Sequence, residues 1–362
     1  CILGGAIVNN FFNLQRRHPF ANRPLIYYDL LVIITPTLLA GTICGVFLNK
    51  LSPNWLIIMF LVVSLSISTL SSFKKTWSLY RQEVLADNEA KETQKLLSGG
   101  GHKTDAQHYS HVDDASLPQE LRDIIRQEGE IAFKWLGVIA VVWAVVFFCS
   151  FAKESFASCG TPIYFLVAFF PVLLAVLVAW NVGNELCGRF ERKKALGFRF
   201  ADGDVMWTRG NVRFLPLVGF MVGIAAGALG IAAGTLLGPL LLELGVMPMV
   251  SVGTTGFMVL FTSSSTTIQY VMMGLLKLDY AIYFASVSMV GAAVGNTAIY
   301  ALVKSQNKTW FVVAILCVMI GFSTILLAFT GIDRSFEGWL EGTDMGFQPL
   351  CTHFNLAQRT NV

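Results

Sequence analysis

Apolar residues in this chain run in blocks of about 20, the length of α-helix that crosses a bilayer, with polar or charged segments between them. Cys1 to Leu14 reads as the second half of such a span, stopped by Gln15-Arg16-Arg17-His18-Pro19. Further spans are expected at 30–49, from Trp55 to Phe73, at 131–151 and 161–182, from Phe214 onward, along the helix carrying 254–269, and at 280–303 and 309–331. The pattern predicts an all-α protein, a polytopic transmembrane helix bundle. Gly291-x-x-x-Gly295 echoes Gly41-x-x-x-Gly45, and Trp310 opens a span as Trp55 does, so the bundle is expected to hold two pseudo-repeats. The expected division is a first repeat at 1–73 with three spans, a polar loop at 74–130 and two connecting spans at 131–182. A basic loop at 183–213, a second repeat of four spans at 214–331 and a polar tail at 332–362 complete it.

One block departs from a plain span. The apolar helix beginning at Phe214 runs into Gly230-Ile-Ala-Ala-Gly234-Thr235 and then Gly238-Pro239, a glycine-rich interruption at membrane depth. Backbone groups freed by a break survive in a bilayer only where protein or a wet cavity covers them. A helix restarting at Thr235 is expected to aim the N–H groups of its first turn into that cavity, a natural anion site. The next helix supplies hydroxyls. Thr255, Thr262, Thr266 and Gln269, spaced 7, 4 and 3 apart, fall on one helical face. Asn9 and Asn13, one turn apart in the first segment, offer amides to neighbouring helices or to a ligand. Gly and Ala at close helix contacts, with Ser and Thr bonded to their own backbone, would account for the same residues by packing alone.

Proline and small residues mark other positions. Pro36 leaves the carbonyl of Val32 without its helical donor, and Thr35 and Thr37 are placed to cover it or to line a pore. Gly41-x-x-x-Gly45 is a close-packing face, and Ser52-Pro53-Asn54-Trp55 is a helix start at the interface. Ser116 to Gln119 is a capping box for an amphipathic helix through Leu121, Ile124 and Ile125.

Composition fits this picture: 54% of residues are hydrophobic and 14% charged. A net charge of +3 spread along the chain excludes a nucleic-acid partner, and membrane lipid is the partner implied. Arg16, Arg17, Lys74, Lys75 and the run from Arg189 to Arg213 fall on one side of the alternating spans, which marks that side as cytoplasmic and makes the repeats parallel. Basic residues there fix topology or meet anionic head groups. Seven cysteines, mostly within apolar runs, form no disulfide framework, although Cys149 and Cys159 flank one loop at a spacing that permits a bridge. Asn307-Lys308-Thr309 matches a glycosylation acceptor in a loop too short to favour its use.

Metal and cofactor chemistry find no support. His102, His108, His111 and Asp113-Asp114 lie in a glycine-flanked polar loop, whereas zinc needs a fixed tetrahedral frame. No span holds histidine, paired carboxylates or a Ser/Lys dyad, so an intramembrane enzyme is excluded. Glu243 and Asp29 sit near span ends as solvated carboxylates.

The order of motifs resembles a known family. Gly4-Gly5-Ala6, Asn9, Arg16-Arg17-His18-Pro19, Arg23-Pro24-Leu25-Ile26-Tyr27-Tyr28-Asp29, Pro36-Thr37-Leu38-Leu39 and Pro53-x-Trp55 open the pattern. Gly227 to Gly245 with Thr254-Thr255, Ser263-Ser264-Ser265 and Gln269-Tyr270 complete it. Together these resemble the sulfite exporter TauE/SafE family, in its eukaryotic branch. The resemblance implies a first span preceding this sequence, residence in the plasma membrane or a eukaryotic endomembrane, and secondary transport of sulfite, sulfonates or related organosulfur oxyanions coupled to a proton or cation gradient. The candidate substrate-binding residues are Asn9, Gly234, Thr235, Thr255, Thr262, Thr266 and Gln269. Two departures stand out: Ala232-Ala233 replace glycines common in the family, narrowing access to the backbone, and Tyr27 stands where aspartate is common. The other class of function that fits is a transport-inactive scaffold that binds partners through the loop at 74–130.

Overall fold

The computed structural model describes residues 1–17, 23–97, 119, 132–156, 161–197, 205–274, 276–306, 310–340 and 346–347. These residues form ten helices and no strand: α1 (Ile2–Leu14), α2 (Tyr28–Leu51), α3 (Asn54–Leu97), α4 (Phe133–Phe156), α5 (Pro162–Ala195), α6 (Arg209–Leu229), α7 (Ala233–Glu243), α8 (Pro248–Met272), α9 (Leu278–Gln306) and α10 (Trp310–Leu340). Among them α2, α4, α5, α6, the Trp55–Ser78 part of α3 and the Leu278–Ala298 part of α9 are long and apolar enough to cross a membrane. α8 has the length, at 25 residues, but its Ser and Thr side chains keep it outside that set.

Helix α2 is the central post. Leu30, Leu31, Val32, Ile33, Leu38 and Leu39 are fully buried, and α4, α5, α6 and α8 all pack on it. The post accepts its neighbours through small residues. A Cβ at Gly41 would lie 2.9 Å from the Cα of Gly223, and one at Gly45 would lie 2.9 Å from the Cα of Gly227, so α2 and α6 touch backbone to backbone as the Gly41-x-x-x-Gly45 pattern predicts. The corresponding pattern on α9 does no such work: a Cβ at Gly291 or Gly295 would meet nothing within 4 Å among the described residues.

Several local expectations change in three dimensions. Neither threonine beside Pro36 covers Val32: Thr37 donates to the Ile34 carbonyl at 2.9 Å, while the Thr35 hydroxyl, fully buried, has no partner among the described residues. A hydroxyl on a helix reaches carbonyls three or four residues back, so Val32 is out of register for Thr37, while Thr35, three residues on from Val32, makes no bond to it. Helix α3 continues beyond Phe73 to Leu97, α5 beyond Val182 to Ala195 and α6 begins at Arg209, because the polar segments after and before these apolar runs carry good helix formers. Lys153, which falls between the spans expected at 131–151 and 161–182, belongs to α4 and is only 2% exposed. Its ammonium lies 4.6 Å from the ring centroid of Phe47 and 5.8 Å from that of Tyr164, and its methylene stem packs in the core.

Cys149 is a free, buried thiol. Cys159, the histidines His102, His108 and His111, the pair Asp113-Asp114, Ser116 with the amphipathic segment after it, and the Asn307-Lys308-Thr309 sequence lie outside the described residues.

Candidate substrate cavity at the broken helix

The interruption after Leu229 is real and closely capped. Gly230 adopts φ +68° and ψ 24°, the left-handed conformation in which glycine carries no Cβ penalty, and its N–H and that of Ile231 both bond the Ala226 carbonyl. Two more carbonyls of the last turn of α6 are covered from other helices. Asn49 donates its amide to Ala228 at 2.7 Å, and Tyr270 donates its hydroxyl to Gly227 at 3.3 Å. A break at membrane depth requires such partners, and these two side chains supply them.

Beyond the break α7 starts at Ala233 rather than at Thr235. Alanine enters a helix more readily than threonine, and Ala232 in extended conformation (φ −70°, ψ 127°) serves as its cap. The backbone N–H of Thr235 is consequently used on Ala232, at 3.0 Å, as is its hydroxyl, at 2.7 Å. Ser68 of α3 donates to the Thr235 carbonyl at 2.7 Å. The amides of Ala233 and Gly234, first in α7, take no acceptor among the described residues, and they point back toward the break.

A cavity of about 490 Å³ opens there. One wall is Gly230, Ile231 and Ala232; the facing wall is α8 through Val259, Thr262, Ser263, Thr266, Thr267 and Tyr270; Leu3 of α1 and Phe284 and Ala285 of α9 close the sides. No charged side chain lines it among the described residues.

Of the candidates named from sequence, Thr262 and Thr266 reach this cavity together. Gly234 and Thr255 are neighbours deeper in the α7–α8 contact, where a Cβ at Gly234 would lie 3.7 Å from that of Thr255. Asn9 packs against Gly256 on the face of α8 that meets α1; a Cβ at Gly256 would sit 2.6 Å from its side-chain nitrogen. Gln269 is 1% exposed, donates to Ser265 at 3.2 Å and leaves its own oxygen without a partner among the described residues. At 3.6 residues per turn, the cavity face of α8 is rotated about 60° from the stripe through Thr255, Thr262, Thr266 and Gln269. Ser263, Thr267 and Tyr270 enter the lining for that reason, and Thr255 and Gln269 leave it.

The remaining hydroxyls of α8 hold helices together. Thr254 accepts the Tyr27 N–H at 3.0 Å, capping the start of α2; Ser264 accepts the Trp143 indole N–H at 2.8 Å; Ser251 donates to the Gly238 carbonyl at 3.3 Å. Asn10, which the amide pattern did not single out, bonds both Ala6, at 2.7 Å, and Gly256, at 3.0 Å. Packing and cavity therefore share this helix, divided by face.

The cavity hydroxyls spend their protons on their own helix. Thr262 donates to Met258 at 3.1 Å, Thr266 to Thr262 at 2.8 Å and Thr267 to Ser263 at 2.6 Å, so lone pairs face the space. A ligand can be held by these lone pairs, or by donors after the hydroxyls rotate, while the helix start supplies partial positive charge.

The family described as Sulfite exporter TauE/SafE matches residues 124–322 of this chain, a stretch that holds α6, the break, α7 and α8. Among curated proteins, Sulfite exporter TauE/SafE family protein 3 of Arabidopsis thaliana is 28% identical over 97% of this chain and 73% of its own length. Family protein 1 of the same plant is 28% identical over 97% of this chain and 77% of its own, and family protein 2 is 27% identical over the same shares. No solved structure matches the chain.

Proposed function

This chain belongs to the sulfite exporter TauE/SafE family of membrane transporters, and we propose that it moves sulfite, a sulfonate or a related organosulfur anion through the cavity at the α6–α7 break. The observation that carries this reading is the juxtaposition, across one cavity without charged side chains among the described residues, of the break and helix cap at Gly230 to Ala232 and a wall of rotatable hydroxyls. The substrate contacts are the backbone at Gly230 to Ala232 with Thr262, Ser263, Thr266 and Thr267, and Gly234 lies behind them in the α7–α8 contact. Asn9, Thr255 and Gln269 support the α8 wall from behind, and Thr235 holds the start of α7 through its bonds to Ala232.

The energetics suit a carrier. A partly buried helix start contributes up to about 2 kcal/mol to an anion, and each neutral hydrogen bond about 1 kcal/mol net. Three such bonds bring the total near the roughly 4 kcal/mol of a millimolar dissociation constant. A site of that strength fills and empties readily. Lone pairs on Thr262 and Thr266 accept from a protonated oxyanion or coordinate an accompanying cation, so coupling to a proton or cation gradient needs no buried carboxylate.

The deciding measurement is flux of sulfite and of taurine in proteoliposomes holding this protein, compared with Thr262→Val/Thr266→Val. Saturable flux that falls about tenfold or more in the double variant supports the reading. Equal flux in both would reject this cavity, and no flux of any sulfur anion would leave the scaffold function.

A further inference from the structure

A second concavity, about 710 Å³, lies outside the cavity just described, between α5 and α6 with Thr37 and Ala40 of α2 at its floor. Its two ends differ in chemistry. Arg209 and Arg213, one turn apart and exposed, stand at the mouth with Trp180 and Asn184; Val172, Val176, Leu217 and Phe220 make the remainder apolar. We propose that this groove binds an anionic phospholipid, its phosphate held by Arg209 and Arg213 and one acyl chain laid along Val176, Leu217 and Phe220.

Three observations carry the assignment. The first is the position of the charges. Arg209 and Arg213 occupy the first turns of α6, where cations oppose the helix dipole, and neither has an ion-pair partner among the described residues. Glu191 shares the rim without pairing to either; its recorded contact is with the Cys187 thiol at 3.9 Å. Thr208 already caps α6 by accepting the Asn211 N–H at 3.4 Å, so an anion between the guanidiniums satisfies them and gains only the positive end of the helix dipole beside them. The second is length. From Arg209 to Phe220 the helix rises about 16 Å at 1.5 Å per residue, close to the roughly 15 Å of hydrocarbon in one leaflet. The third is the open side: Val176, Trp180 and Leu217 are 55%, 61% and 61% exposed, and they face outward from the bundle where acyl chains would lie, with tryptophan at head-group level. A free phosphate ion would use the mouth and leave the apolar length empty. Basic pockets between membrane helices on the basic side of a protein are recognised lipid sites in general, and that leaflet is the one rich in anionic lipid.

The test uses quenching of Trp180 by bromine on acyl chains. Protein in nanodiscs receives brominated phosphatidylserine or brominated phosphatidylcholine of matched chains, and Trp180→Phe defines the signal from that residue. Phosphatidylserine is expected to quench at about fivefold lower mole fraction per arginine engaged, from about 1 kcal/mol for each. Arg209→Gln and Arg213→Gln each lose about that factor, Arg209→Lys/Arg213→Lys keeps most of the preference, and Glu191→Gln sharpens it. Arg192→Gln, on the same side but away from the groove, leaves it unchanged. Equal quenching by both lipids, an Arg192→Gln effect as large as that of Arg209→Gln, or reversal of quenching by millimolar inorganic phosphate would each overturn the proposal. Circular dichroism of every variant separates these outcomes from misfolding.

Discussion

Tyr270 reaches from α8 across the end of the broken helix and donates its hydroxyl proton to the carbonyl of Gly227 at 3.3 Å. The same ring lines the cavity, so one side chain both completes the cap and shapes the space beside it. Tyr270→Phe keeps the ring and strands the carbonyl, a loss of about 1 to 3 kcal/mol. The expected result is a lower unfolding temperature in detergent together with reduced sulfite flux. A variant with wild-type stability would show that water or another donor covers Gly227 equally well.

The stripe on α8 makes a sharper separation. Thr266→Val empties one cavity hydroxyl and should lower flux at unchanged stability, whereas Thr255→Val, behind Gly234, should leave flux within about twofold and cost about 1 kcal/mol. Gln269→Leu removes a buried oxygen that has no partner, so it should be neutral or stabilising. Parallel flux and thermal-shift measurements check all three, and abolished flux in Gln269→Leu with normal flux in Thr266→Val would invert the picture.

Glycines of the same sequence pattern should respond oppositely. Gly41→Ala places a methyl against the backbone of α6, an overpacking that costs about 1 to 3 kcal/mol. Gly291→Ala meets nothing on α9 and gains helix propensity, up to about 1 kcal/mol. Thermal unfolding of the two variants side by side reads the difference directly.

On the basic side, Trp135 donates its indole N–H to Asp29 at 3.0 Å, tying α4 to the start of α2, while Lys134 and Arg189 pair with Glu185 at 2.6 and 2.7 Å on the surface. Trp135→Phe should cost about 1.5 to 3 kcal/mol, as expected for a bond to a charged acceptor. Lys134→Gln should cost under about 1 kcal/mol and depend on salt. Denaturation at low and high ionic strength distinguishes them.

The break, the glycine contact of α2 and the hydroxyl-bearing helix were all legible in the sequence, because Gly-rich apolar runs and helical spacing reflect local chemistry. Rotation of α8 was not. Thr255, Thr262, Thr266 and Gln269 share a face by arithmetic, but which flank of that face is open depends on where α1 and α9 pack, and that is set by long-range contacts. For the same reason Lys153 could not be placed: its burial follows from Phe47 and Tyr164, which come from two other helices. The cap from Asn49 and the interhelical bond of Asn10 were likewise invisible, since their partners Ala228 and Gly256 are fixed only by the tertiary arrangement.

Backbone contact between Gly41, Gly45 and Gly223, Gly227 constrains how such a protein can work. At these four glycines the two helices meet with no side chain between them, so α2 and the first half of the broken pair are expected to move as a single lever. In the transport proposed above, the expected hinge is Gly230 to Ala232, so that a tilt of α6 would carry α2 with it.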